Sequence, residues 1–136
     1  MLTMVKLGGS LITDKRVEGS FKAPVVTRLA EEIAAAQALR PELRLIIGHG
    51  SGSFGHVAAQ QYGTAQGVWT PDDWRGFARV GNTAAELNTL VTRTLERAGV
   101  PVWRIQPSAS AISSSGVIQN MAIEPIHQAL LHDLVP

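Results

Sequence analysis

Two short apolar runs, at residues 1–7 and 43–47, each stop at a cluster of glycines, and this pairing restricts the fold more than any other feature of the chain. The first run reads as a strand closed by the turn Gly8-Gly9-Ser10. The second, Leu43 to Ile47, is apolar on both faces, which marks a buried parallel strand. It leads into "GHGSGSFGH", Gly48 to His56. In an open α/β sheet, ligands bind at the carboxyl ends of the strands. Two glycine-rich ends of this kind can surround one polyanion with backbone N–H groups, and a helix starting near Gly55 would add its positive end. Tight turns alone would account for one or two of these glycines but not for both clusters.

Gly50 to Gly55 satisfies G-x-G-x-x-G in full and G-x-x-x-x-G-K-[ST] in part, with His56 in place of the lysine and Val57 in place of the hydroxyl residue. The dinucleotide fingerprint belongs after the first strand and needs an acid at the end of the next. Here it follows the second strand, and Asp72 and Asp73 stand at a helix start. Val57 cannot ligate magnesium and His56 is not a permanent cation, so a nucleotide P-loop is disfavoured too.

The rest of the chain follows an α/β order. Residues 11–23 read as an ordered loop or hairpin, and Pro24 sits in the first turn of a helix running to Leu39. A short helix is expected over 55–62 and a second loop over 63–70. Thr70 caps a helix from Pro71 to about Ala98, bent near Gly76 or Gly81 and closed by Gly99. A third strand is expected over 100–105, a Ser- and Ala-rich loop with one helical turn over 106–116, and a last helix from Glu124 to about His132. The order predicts a parallel sheet. The chain ends in Leu134-Val135-Pro136 where the pattern would begin another strand, so a sequence cut in mid-fold is expected.

Composition bounds the function. At 136 residues, 45% apolar and 17% charged, the chain suits one folded domain. Twelve basic against eleven acidic residues give +1, which points to neither nucleic acid nor an anionic membrane. Without cysteine there is no disulfide framework, thiol nucleophile or thiolate metal site. Lys6, Asp14 and Lys15 interrupt any signal-peptide core, and no run nears the roughly 18 residues of a membrane span. A cytoplasmic protein is expected.

Lys6, inside the first apolar run, is either an edge side chain reaching solvent or a cation aimed across the strand end at a phosphate; beside Gly8-Gly9-Ser10 the second is favoured. Lys15 either folds back over the same place or is solvated. His56 can donate to a phosphate, and a nearby anion would favour its protonated form. His49 is expected to be structural, and His127 and His132 to lie on the surface. Trp69, Trp74 and Trp103 are expected in the core, because no basic residues interleave with them.

"KLGGSLITDK", Lys6 to Lys15, together with "GHGSGSFGH", resembles the amino acid kinase superfamily and, within it, isopentenyl phosphate kinases. Leu87-Asn88 and "GVPVWRIQPSA" at 99–109 also fit. The resemblance implies a three-layer αβα sandwich with a mainly parallel sheet, of which residues 1–136 would be the N-terminal, acceptor-binding lobe. The C-terminal nucleotide-binding lobe would be absent, leaving the isolated chain inactive. It further implies ATP with Mg2+, an isoprenoid monophosphate acceptor and a homodimer.

Carried over, the pattern assigns Lys6, Gly8, Gly9, Ser10 and Gly52 to ATP. It gives Lys15 to the transferring phosphoryl group, and Gly50, Ser51, Gly55 and His56 to the acceptor's phosphate. Ser51 stands where many members have glycine, but a small residue with a free N–H preserves the contact. Lys6, Lys15 and His56 would be the catalytic set, with no protein ligands implied for the metal. Phosphoryl transfer needs mainly alignment and charge cancellation, and no general base when the nucleophile is already a phosphate oxygen. The acceptor's tail would need an apolar pocket, walled by residues 57–90. The alternatives are a kinase for another phosphate or phosphonate acceptor such as fosfomycin, and a non-catalytic phosphate-binding or dimerisation module.

Overall fold

The computed structural model describes residues 1–136. Strand β1, Leu2–Leu7, lies parallel to β2, Arg44–His49, with Leu2 opposite Arg44 and Leu7 opposite His49. The register therefore brings both glycine clusters out at one end of the sheet. Parallel strands need a crossover, and helix α2, Ala23–Leu39, supplies it. It is entered through a single short turn of helix, α1, over Gly9–Ile12. Residues 13–21 then form a loop closed by an antiparallel bridge between Thr13 and Phe21.

Helix α3, Gly52–Tyr62, starts three residues earlier than its expected position, so the glycine motif is itself the first turn. Helix α4, Pro71–Arg97, runs unbroken through Gly76 and Gly81. Gly76 is there for packing, not bending: a Cβ at that position would lie 2.4 Å from Tyr62 Cβ. The start of α4 is a capping box. The amide of Asp73 donates to Thr70 Oγ1, and the Asp73 carboxylate accepts from the Thr70 amide at 2.8 Å. Gly99, at φ +89°, ends the helix in the left-handed region.

Eighteen of the 136 residues are buried, and eleven of them build a core on one side of the sheet. Leu7 and Leu45 meet Val26 and Ala30 of α2 and the stripe Leu87, Val91, Leu95 of α4. That stripe repeats every fourth residue, the spacing of one helical face, and each fully buried leucine stabilises by roughly 1.5–3 kcal/mol. Strand alternation sends Leu2, Met4 and Lys6 to the other face, where all three are exposed. Arg44, which shares that face, pairs at 2.7 Å with Asp133, just beyond α5, Glu124–Leu131.

The expected strand over 100–105 reduces to one residue. Val102 bridges Val135 in parallel, and the amides of Val135 and Trp103 complete the contact by donating to Pro101 O at 2.9 Å and Val135 O at 2.8 Å. Ile47 N–H donates to Pro136 O at 3.0 Å, so 135–136 lies between β2 and 101–103. Pro101 has no N–H to extend a ladder. The stretch 106–116, expected as a loop with one helical turn, holds such a turn as a 3-10 helix over Pro107–Ala109 but also the strand β3, Ile112–Ser114. β3 pairs antiparallel with β4, Val117–Asn120. Ser115 at φ +50° and Gly116 at φ +75° form the two-residue connection, as primed hairpin turns require.

The three tryptophans are not core residues: Trp69, Trp74 and Trp103 are 75%, 56% and 44% exposed. Trp74 falls off the buried stripe of α4 and stacks edge-on against Phe77 at 5.6 Å between ring centroids. Trp103 follows the inward Val102 and so points outward, while the Trp69 indole lies over Gly67. No helix is long and apolar enough to cross a membrane.

Candidate functional site

The loops leaving β1 and β2 touch backbone to backbone. A Cβ on Gly9 would lie 2.7 Å from Gly52 N, and one on Gly50 would lie 2.9 Å from Gly9 N, so only glycine permits the approach. Gly50 N–H donates to Leu7 O at 2.9 Å, carrying the pairing of the strands one residue past their ends. Gly52 opens α3 at φ +51°. The amides of Gly8, Gly9, Ser10, Ser51 and Gly52 have no acceptor in the protein. They form two sets of free donors at one sheet edge, one set at the positive end of α3.

Between the loops is an open cavity of about 210 Å³, lined by Gly9, Ser10, Lys15, Ser51, Gly52, Ser53, His56 and Val57. The structure thus brings together Gly9, Ser10, Lys15, Ser51, Gly52 and His56. Lys15 reaches it from the loop after α1, and His56 from the second turn of α3. Neither is paired with an acid, and no lining residue is acidic. Asp14, beside Lys15, is engaged by Arg16 at 2.8 Å instead. The hydrogen bonds from the Arg16 side chain and amide hold its carboxyl well below the usual range.

Gly8, Gly50 and Gly55 shape this edge without lining the cavity. A Cβ on Gly55 would meet Ser51 Cβ at 2.7 Å. Lys6 is not in the cavity: it lies opposite Gly48 on the exposed face with Leu2 and Met4, and it has no ion pair.

Two contributors, Thr13 and Lys22, escaped the sequence reading, and a third residue has an unforeseen partner. Thr13, fully buried, donates through Oγ1 to Gly9 O at 2.7 Å and accepts there from Ser53 N–H at 3.0 Å. Lys22 Nζ donates to Ser10 O at 3.0 Å, holding the first loop from the start of α2. His49 is structural, as expected, but through an unforeseen partner: Asn88 Nδ2 lies 3.0 Å from its Nε2. With Asn88 donating, the imidazole proton is on Nδ1, which gives it to Gly50 O at 3.1 Å. The only signal in the sequence was Asn88 itself, a polar residue one position after the buried Leu87.

No group of three or more histidine, aspartate or glutamate side chains is placed to hold a metal ion. Elsewhere, Phe21, Thr27, Glu31, Arg93 and Arg97 are among the residues lining a groove of about 350 Å³ between α2 and α4.

Comparison with known proteins agrees with this architecture. The curated isopentenyl phosphate kinase of Methanocaldococcus jannaschii is 32% identical, in an alignment that takes in all of this chain and 54% of that protein. The isopentenyl phosphate kinase of Methanothermobacter thermautotrophicus is 34% identical, with 99% of this chain and 51% of that protein aligned. The chain spans about half the length of the curated relatives it matches. Among solved structures, an isopentenyl phosphate kinase superposes with a TM-score of 0.89 at 35% identity, covering all of this chain and 56% of the other. The product complex of the T. acidophilum isopentenyl phosphate kinase gives 0.82 at 23% identity, covering 53% of that chain, a likeness of fold alone. The amino acid kinase family matches from residue 1 to residue 136. With paired glycine loops at the ends of parallel strands and a match along its whole length, the chain belongs to the amino acid kinase family, a family of phosphotransferases.

Proposed function

We propose that this chain carries the phosphate-gripping part of an isopentenyl phosphate kinase, which transfers the terminal phosphoryl group of ATP to the phosphate of isopentenyl phosphate. The observation that carries the proposal is the cavity in which Lys15 and His56, both unpaired, meet two sets of free backbone donors with no carboxylate among the lining residues. An acceptor phosphate oxygen forms the new P–O bond while the bond from the terminal phosphorus to its bridging oxygen breaks, releasing ADP. The attacking oxygen is already ionised, so no base is needed, and an acid-free wall suits that chemistry.

In this assignment Gly8, Gly9 and Ser10 donate to the nucleotide's phosphates together with Gly52. Lys15 lies along the path of the transferring group and offsets its charge. Ser51 and His56 hold the acceptor's phosphate, on a wall shaped by Gly50 and Gly55. Lys6, at the strand end but outside the cavity, would have to approach the nucleotide from the outer face of the sheet. Val57, the single apolar lining residue, leads along α3 toward exposed Tyr62, Trp74 and Phe77, which are assigned to the isoprenoid tail. Magnesium commonly accompanies a nucleotide through phosphate oxygens and water. The cavity offers it no carboxylate, so no residue of this chain is assigned to it and no step passes through it.

Calorimetric titration of the purified chain tests the proposal. Isopentenyl phosphate should bind, isopentenol should not, and His56→Ala should weaken the phosphate ester by about tenfold. Binding of fosfomycin but not isopentenyl phosphate, or an unchanged affinity in His56→Ala, would contradict it.

A further inference from the structure

We infer that Thr13 is a positioning residue: its hydroxyl pins the first glycine loop to the start of α3 and so holds the two sets of phosphate donors at a fixed separation. This rests on the phosphate-binding role proposed above, and extends it to a residue outside the cavity.

A threonine in a short helix often donates back to the carbonyl four residues earlier, and the bond to Gly9 O is of that kind. Two further facts separate Thr13 from an ordinary case. Its Oγ1 also accepts from Ser53 N–H, forty residues away and in the first turn of α3. That first turn has orphan donors available to a ligand, and the bond removes Ser53 from them, leaving the amides of Ser51 and Gly52. The second fact is steric: a Cβ on Gly52 would lie 2.2 Å from Thr13 Oγ1 and 2.9 Å from Gly9 O, so residue 52 is open to Thr13 only as glycine. One hydroxyl therefore fixes Gly9 on one loop and Ser53 on the other, between the two sets of free amides. A ligand that spans both sets benefits from that fixed separation, because the ordering is completed before it binds. A ligand that occupies one set gains nothing from it.

The test compares inorganic phosphate, which fits one set, with pyrophosphate, which reaches both. Calorimetry is run on the unaltered chain, on Thr13→Val, which keeps the shape without the hydroxyl, and on Thr13→Ser, which keeps the hydroxyl. The pin predicts that Thr13→Val lowers pyrophosphate affinity about tenfold while phosphate affinity stays within about twofold, and that Thr13→Ser restores the ratio. Equal losses for both anions, or none, would overturn the pin while leaving the proposed function standing. Failure of the unaltered chain to bind either anion would overturn both.

Amide exchange on the unaltered chain and on Thr13→Ser does not depend on the valine variant folding. The Ser53 amide should exchange at least about tenfold more slowly than those of Ser51 and Gly52 in both proteins. Exchange as fast as Gly52 would contradict the pin by itself.

Discussion

Gly52 combines three demands in one position: φ +51°, contact with Gly9 O, and room for the Thr13 hydroxyl. Gly52→Ala should therefore destabilise the chain by about 2 kcal/mol or more, since the left-handed conformation alone costs an L-residue about 1–2 kcal/mol before any clash. Urea unfolding measures this, and a loss under about 0.5 kcal/mol would mean that the loops are free to separate. At this scale the sequence was legible where chemistry is local. Glycine clusters, a histidine closing the glycine motif and a lysine in a loop announce themselves by type and spacing. Thr13 and Asn88 do not, because each acts through a partner thirty-nine or forty positions away. Lys6 stands apart: strand alternation turns its side chain to the outer face with Leu2 and Met4, a placement that its spacing from Gly8 does not show.

Helix α4 depends on its first turn. Thr70→Ala should lower stability by about 1 kcal/mol, the usual worth of such a cap, as read from the urea midpoint. The pH dependence adds a signature. Bonds from the amides of Thr70 and Trp69 and from the Thr70 hydroxyl lower the Asp73 pKa. A carboxyl whose native pKa is lowered contributes fully above its unfolded value, about 3.9, and the contribution is lost as pH falls through the native value. Asp73→Asn should thus flatten the stability curve below about pH 4 and leave its slope at pH 6–8 unchanged; an unaltered acid limb would show that the bonds do not hold in solution.

This start was readable because Thr-Pro-Asp-Asp carries cap, proline and acids in order. The hairpin over 112–120 was not, since its Ser-Gly turn is embedded in a serine-rich stretch that has no apolar alternation before it. Residues 100–105 misled for another reason. Their apolar run suits a strand, but strand formation needs neighbours, and Pro101 cannot donate.

Across the whole molecule, the parallel register of β1 and β2 connects the local features to one site, since it delivers both glycine loops to the same edge. The tail takes part in the same sheet: Val135 is 2% exposed, bonded to Pro101 and Trp103, and its neighbour Pro136 accepts from Ile47. Val135→Asp would bury an unpaired carboxylate there and should cost at least about 3 kcal/mol. A chain as stable as the original in urea would mean that the tail does not join the sheet. The parallel α/β plan was legible from two strands ending in glycine, because the position of ligands in such sheets follows from topology. The exposure of the aromatic residues was not, since it depends on which face of α4 meets the sheet.

The central claim is that both glycine loops serve one phosphate-binding site. A 15N amide titration of the chain with isopentenyl phosphate and ATP together tests it most directly. The amides of Gly9, Ser10, Ser51 and Gly52 should shift, with ATP needed for the response of Gly9, Ser10 and Gly52 and isopentenyl phosphate for that of Ser51. Shifts confined to one loop, or centred on the groove between α2 and α4, would contradict it.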